Sequence, residues 1–367
     1  MSKFSVNDIF LNLFVLEAAN NHWGDVTRGK KIIQEYGYIV RQNNVRAAIK
    51  FQFRDVDNFI HSDFKGNTEI RYIKKTEATK MSHQQYSELA SAVRKIGCIP
   101  MATPFDEISV GLCEKLEFPI IKIASSDVND WPLIERISYS KKPTILSTGG
   151  ASEQSLDEVV AYFEKRNIPL AINHCVSLYP SEDEQLELNQ VDYLINRYPN
   201  HVIGFSSHEF SDWQSSMFIS YAKGVRTWER HIDIKDSDVP VSPYCSLPYQ
   251  VDAWFKAFHK SQEMCGGSGD FRRVISKEET KYLDALVRGV YVKRDLPKGY
   301  VIDSSTFPED FKMAVPLQKG QLSTREVING LSLRREVKSD APLTIEDVDG
   351  PYSSVPALKQ IIFERGV

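Results

Sequence analysis

Eight short, β-rich apolar runs recur along the first 232 residues, separated by amphipathic stretches with helical spacing. They read as strands over Leu13–Ala18, Arg46–Gln52, Cys98–Thr103, Phe118–Ala124, Pro143–Ser147, Leu170–Cys175, Val202–Ser206 and Val225–Glu229. Eight strand–helix alternations are what a (β/α)8 TIM barrel requires, so the expected fold class is α/β.

The residues at the C-terminal end of each run are more informative than the run itself. In order come Glu17 with a loop through Asp25, then Lys50-Phe51-Gln52, Thr103-Pro104-Phe105-Asp106 and Lys122 through Asp127. Ser147-Thr148-Gly149-Gly150, His174 through Pro180, Ser206-Ser207-His208-Glu209 and Glu229-Arg230-His231 complete the series. Ionisable residues at successive strand ends mark the face on which barrel enzymes carry their chemistry.

His208 and His231 stand at neighbouring strand ends, where two imidazoles suit a divalent ion completed by water and substrate oxygens. Such an open, oxygen-rich shell fits manganese or magnesium better than closed zinc. Lys50 and Lys122, each bracketed by apolar residues, suit a phosphate or carboxylate partner. Thr103, Ser125, Ser147, Ser177 and Ser206 add hydroxyls, which with the lysines make an anion cradle. Neither GxxxxGK[ST] nor GxGxxG stands at a strand–helix turn, so nucleotide binding has no motif behind it. Glu17 is placed to orient or deprotonate a reacting hydroxyl or water. Glu229 shares a strand face with His231 and reads as a metal-supporting or sugar-contacting acid. His22 is either catalytic or part of a tight loop whose Asp25 caps the next helix.

Past Ile232 the pattern changes. A helix over Val251–Met264 is broken by Gly266-Gly267-Ser268-Gly269. The expected organisation is a barrel domain over 1–270, a linker over 271–286, a compact short-stranded module over 287–350 and a tail over 351–367. Within the module, Arg294–Phe307 faintly repeats as Arg335–Val348, which suggests internal two-fold symmetry. Arg54–Lys80 and Ile234–Pro248 read as long irregular stretches beside the barrel mouth, the usual place for substrate-facing loops.

A net charge of -4 argues against nucleic-acid binding. The five cysteines, without a CxxC pair, read as reduced thiols, and no window approaches the roughly 18 apolar residues of a membrane span. With no signal-peptide pattern at the N-terminus, the expected location is cytoplasmic.

The ordered endings resemble the sialic acid synthase family. The resemblance rests on Glu17 with Asn21-His22-Trp23-Gly24-Asp25, Lys50-Phe51-Gln52, Thr103-Pro104-Phe105-Asp106, Lys122-Ile123-Ala124-Ser125, Leu146-Ser147-Thr148-Gly149, His174-Cys175 with Tyr179-Pro180, Gly204-Phe205-Ser206 with His208, and Glu229-Arg230-His231. The module over 287–350 is similar to that family's SAF (antifreeze-like) domain. The resemblance implies condensation of phosphoenolpyruvate with an aldose, giving a 3-deoxy-2-keto sugar acid and phosphate. It implies that His208 and His231 bind Mn2+ (Mg2+ or Co2+ as alternatives) and that Glu17 moves a proton. It further implies that Lys50, Thr103, Lys122, Ser125, Ser147, Ser177 and Ser206 hold phosphoenolpyruvate, that Gln52, Tyr179 and Glu229 face the acceptor, and that the protein is a domain-swapped homodimer whose SAF modules each cover the partner's barrel mouth.

Three departures from the family pattern stand out. Ser207 takes the place of a usual Asp, Ser242 that of a sugar-contacting acid, and no Arg-Pro-Gly occurs near Met313. They suggest an acceptor other than plain N-acetylmannosamine. Two alternatives remain at this level: a Schiff-base pyruvate aldolase using Lys50 or Lys122, and a non-catalytic sugar-acid binding homologue.

Overall fold

Strand residues alternate sides, so a barrel strand must satisfy an outer shell of helices and an inner lumen at once. The first strand shows this directly: Phe14, Leu16 and Ala18 join the outer core, while Leu13 and Val15 point inward. The computed structural model describes residues 9–236, 239–267 and 269–367. It contains a closed barrel of eight parallel strands in sequential order. These are β1 Leu13–Ala19, β2 Arg46–Phe53, β3 Ile99–Pro104, β4 Ile120–Ile123, β5 Thr144–Ser147, β6 Leu170–Cys175, β7 Val202–Ser207 and β8 Thr227–His231.

All eight expected runs are strands; the sixth keeps its expected bounds, and the other seven shift by one or two residues at one or both ends. The eighth begins at Thr227 rather than Val225, because Gly224 closes the preceding helix at φ +100° and Val225 N–H is spent on Ser220 O. His231 therefore lies within β8, two places beyond Glu229.

The lower lumen is a dry plug of Leu13, Val15, Ala48, Met101, Ile120, Ile145, Ala171 and Val202. Outside, Phe14 sits 5.3 Å from Trp228, and Trp254, Phe255 and Phe258 pack edge-on to it from the helix Pro248–Cys265. Large aromatic contacts of this kind seal the seam where β1 meets β8. Several acids in the strand-end motifs are helix caps: Asp25 accepts from Thr27 N and Asp106 from Ser109 N.

Two compact units divide the chain, Met1–Gly266 and Gly267–Val367. The second holds short antiparallel strands around Val290, Val292, Ile302, Leu331, Leu333 and Leu343. Its faint repeat is structural. Leu296 and Val337, equivalent positions in the two copies, exchange both backbone hydrogen bonds at 2.9 and 3.0 Å. Arg294 pairs with Asp310, and Arg335 with Asp347. Two expectations change here. The 271–286 linker contains a helix, Lys277–Asp284, and the 351–367 tail contributes Ile362 to the second unit's core. The Arg54–Lys80 stretch is also not irregular throughout, since it carries a helix over Arg71–Ala78. Of Ile234–Pro248, Ser237 and Asp238 lie outside the described residues.

Candidate active site

Above the apolar plug, the same inward positions turn polar. Glu17 succeeds Val15 on β1, Lys50 succeeds Ala48 on β2, Lys122 succeeds Ile120 on β4 and Ser147 succeeds Ile145 on β5. Parallel register sets Glu17 beside both Lys50 and His231, and Ser206 beside Glu229. A cavity of about 630 Å³ opens there. Glu17, Lys50, Gln52, Thr103, Lys122, Ser125, Ser147, Ser177, Tyr179, Ser206, His208, Glu229 and His231 all line it.

Two lysines and two glutamates form a buried chain across the floor. Lys50 Nζ contacts Glu17 Oε2, lies 3.4 Å from Glu229 Oε1, and donates to Thr103 Oγ1 at 3.0 Å. Lys122 Nζ donates to Glu229 Oε2 at 2.8 Å. Burial pushes the Lys50 ammonium down to about 8 against the pull of Glu229, and Lys122 pushes the same way. Burial alone would raise the Glu229 carboxyl, yet Lys122 and Lys50 together hold it well below the usual carboxylate range. Glu17 Oε1 and Ser147 Oγ are buried without a hydrogen-bond partner, each an open contact for a ligand.

On the β5 side, Gly149 permits a close approach. A Cβ there would lie 2.2 Å from Ser177 Oγ and 2.9 Å from Ser125 Oγ. The space instead gathers two hydroxyls around the Gly149 N–H, which donates to Ser125 Oγ at 3.1 Å. This is a small anion cradle built without a phosphate-binding glycine motif.

Across the cavity, the His208 and His231 ring centroids are 5.4 Å apart. Two imidazoles sharing one ion through bonds of about 2 Å can span at most roughly 6.5 Å between centroids, so the pair fits a common metal. Burial depresses both, His208 to about 4 and His231 well below 6.5, which leaves them neutral as ligation requires. His208 Nδ1–H donates to Val176 O at 2.9 Å, freeing Nε2. Among the described residues no group of three or more His, Cys, Asp or Glu is arranged to hold a metal. Tyr179 packs 4.0 Å from His208, and Tyr244 stands 5.1 Å from His231.

Other positions differ from expectation. His22 does not line the cavity: its Nδ1 accepts from Gly24 N at 3.0 Å, and the buried ring packs edge-on to Tyr86. His22 is part of the loop's architecture, as the capping Asp25 suggested. Ser207 faces away from the lumen, where Arg230 Nη1 donates to its Oγ at 3.1 Å. Its difference from the family pattern therefore concerns strand packing and not the acceptor. Ser242 also lies off the cavity wall. Sequence reasoning missed Asn20, Asn21, Arg54, Tyr72, Lys75 and Tyr244, all of which line the cavity. Arg54 was within reach of strand alternation, being two places beyond Gln52.

Residues 43–267 match the NeuB family. The chain is 30% identical over 245 residues to the N-acetylneuraminate-9-phosphate synthase of Drosophila melanogaster, a match covering 64% of each chain. It is 24% identical over 340 residues to the N,N'-diacetyllegionaminic acid synthase of Campylobacter jejuni, covering 88% of this chain and 92% of that enzyme. The crystal structure of a Chromobacterium violaceum protein, provisionally named spore coat polysaccharide biosynthesis protein E, superposes with a TM-score of 0.87 at 33% identity, over 92% of this chain and 100% of that one.

Proposed function

This chain belongs to the NeuB family, and on that premise we propose that it condenses phosphoenolpyruvate with an aldose, yielding a 3-deoxy-2-keto sugar acid and phosphate. The observation that carries the reading is one cavity lined by two lysines, two carboxylates, two neutral imidazoles and a hydroxyl cradle. The names of the Drosophila and Campylobacter relatives support an N-acylated hexosamine-like acceptor and a nonulosonic product. The Chromobacterium protein's name supports a destination in surface polysaccharide.

In this reading Lys50 and Lys122 neutralise the carboxylate and phosphate of phosphoenolpyruvate. Thr103, Ser125, Ser147, Ser177, Ser206 and the Gly149 N–H supply its hydrogen bonds. Gln52, Tyr179 and Glu229 orient the open-chain aldose so that its aldehyde carbon meets C3 of the enol, which trades a bimolecular encounter for a positioned one. His208 and His231 would hold a divalent ion, Mn2+ first, with Mg2+ or Co2+ as alternatives. When bound, that ion supplies Lewis-acid polarisation of the aldehyde. As the C3–C1 bond forms, C2 becomes cationic and water adds to it, with the open Glu17 Oε1 accepting the water's proton. The C2–O bond to the phosphate then breaks and phosphate leaves with the C2 hydroxyl's proton, so that the 2-keto group forms, while the proton taken from water ends on the former aldehyde oxygen.

The reading extends to residues 287–350 as an SAF-type module in a cytoplasmic homodimer, each module covering the partner's barrel mouth. Exposed Phe271, Val274, Ile275 and Tyr282 support a surface that a partner covers. Light scattering that returned a monomer at micromolar concentration would remove this part.

The deciding experiment supplies phosphoenolpyruvate, Mn2+ and a panel of aldoses, and reads phosphate release. Release that depends on both metal and aldose is expected. No release with any aldose, or a borohydride-trapped pyruvate adduct on Lys50 or Lys122, would reject the synthase reading.

A further inference from the structure

The register of the barrel fixes which inward side chains stand at one height. From Lys50 the pairing runs through Met101 to Ile120, two places before Lys122. From Lys122 it runs through Ile145 to Ala171, two places before Asn173. From Asn173 it runs through Gly204 to Thr227, two places before Glu229. From Glu229 it runs through Val15 to Ala48, two places before Lys50 again. That is the stagger of a barrel of shear 8, so Lys50, Lys122, Asn173 and Glu229 form one layer contributed by alternate strands.

Three members of this layer are joined through the Glu229 carboxylate. The fourth stands apart. Asn173 is 0% exposed, and among the described residues neither its Oδ1 nor its Nδ2 has a hydrogen-bond partner. Gly204 in the layer beneath makes room for it, since a Cβ there would lie 2.0 Å from Asn173 Oδ1. By the same counting Ser147, Ser206 and Glu17 share the layer above. Ser147, the register neighbour of Asn173, lines the cavity with its Oγ unpartnered, and Glu17 Oε1 is unpartnered as well. The unpartnered polar atoms of these three side chains thus gather in two adjacent layers at the cavity floor.

Buried polar groups are nearly always hydrogen-bonded, so the cluster points to an occupant. Its chemistry follows from the atoms that face it. A cation would engage Oδ1 and leave Nδ2 unmet, and an anion would do the reverse. The floor charges are already matched, two lysines against two carboxylates. A small neutral molecule that both donates and accepts is water.

We propose that Asn173 and Ser147 hold one ordered water at the cavity floor, and that this water adds to C2 of phosphoenolpyruvate, with Asn173 as its positioning residue. The proposal rests on the synthase reading and deepens it, because it names the source of the added oxygen. The Ser147 hydroxyl can serve both neighbours, donating to phosphoenolpyruvate and accepting from the water. As the water's lone pair closes the bond to C2, its proton passes to Glu17 Oε1.

A high-resolution crystal structure with phosphoenolpyruvate bound is expected to show a water within hydrogen-bond reach of Asn173 and Ser147 Oγ. Asn173→Leu is close in volume and removes both polar atoms. It should lower kcat by about 10- to 100-fold, the cost of a misplaced reactant, and change KM for phosphoenolpyruvate by less than about twofold. The solvent deuterium isotope effect on kcat should rise in this variant, because water addition then limits turnover. Asn173→Ser keeps a hydroxyl and leaves space for water, so it should retain more of kcat. Lost packing alone would lower the melting temperature and leave the isotope effect unchanged. An amide with no water beside it, a Leu variant with native kcat, or Ser and Leu variants equally impaired would overturn the inference and leave the synthase reading standing. If the Leu variant does not fold, the native structure and the isotope effect in the Ser variant carry the same decision. Native protein without turnover on any aldose would remove both.

Discussion

Behind the strand ends that carry His208 and His231, an ion pair is buried as completely as any core residue. Arg230 and Glu209 are each 1% exposed. Glu209 Oε1 accepts from Arg230 Nη1 and from Ser216 Oγ, its backbone carbonyl accepts from Arg230 Nη2, and Ser246 Oγ accepts from Arg230 Nε at 3.0 Å. Glu209 comes directly after His208, and Arg230 directly before His231, so the pair ties the ends of β7 and β8 together. Replacing Glu209 by Ala strands a guanidinium in the interior with two hydroxyls and one carbonyl as its remaining partners. Breaking a buried pair from one side costs about 3–5 kcal/mol. At roughly 2 °C per kcal/mol for a unit of this size, the barrel should melt about 6–10 °C lower. Glu209→Gln, which retains acceptor atoms without the charge, should fall between Ala and the native chain. Asp at 207 in the Glu209→Ala background should recover part of the loss, because Ser207 Oγ already stands 3.1 Å from Arg230 Nη1. Thermal unfolding by calorimetry reads the stability, and Mn2+ titration should show about 10- to 100-fold weaker binding as the imidazoles lose their shared support. A Glu209→Ala protein that melts within 2 °C of the native one would refute the reasoning.

The cavity sets three further expectations. His208→Ala and His231→Ala should each abolish measurable Mn2+ binding and turnover while far-UV circular dichroism stays native; activity retained in either would end the metal assignment. Because Lys50 loses its proton near pH 8, and only the ammonium attracts an anion, kcat/KM for phosphoenolpyruvate should fall as pH rises through about 8. A profile flat from pH 7 to 10 would contradict this. Gly149→Ala puts a methyl 2.2 Å from Ser177 Oγ, so it should raise KM for phosphoenolpyruvate about tenfold with little change in melting temperature.

The eight strands and their polar endings were legible because the signal is local and periodic. Buried parallel strands need continuous apolar runs, and barrel chemistry sits where those runs stop. Parity was also available in the sequence and was underused. Since Ser206 points inward, Ser207 must point out, and the series Lys50, Gln52, Arg54 already places Arg54 toward the lumen. His22 misled because a loop histidine beside a capping Asp looks the same in sequence whether its ring faces the cavity or Tyr86.

By itself, then, the chain's sequence determined the barrel, the order of its strands and the inward-facing lysines, glutamates and histidines, since each arises from residue type at a fixed spacing. Only the tertiary structure decided that Lys75, from a helix inside an apparently shapeless stretch, shares a wall with Arg54, and that Glu209 finds Arg230. Those encounters join segments 21 residues apart, whose meeting depends on how loops and outer helices pack, and no local period encodes that.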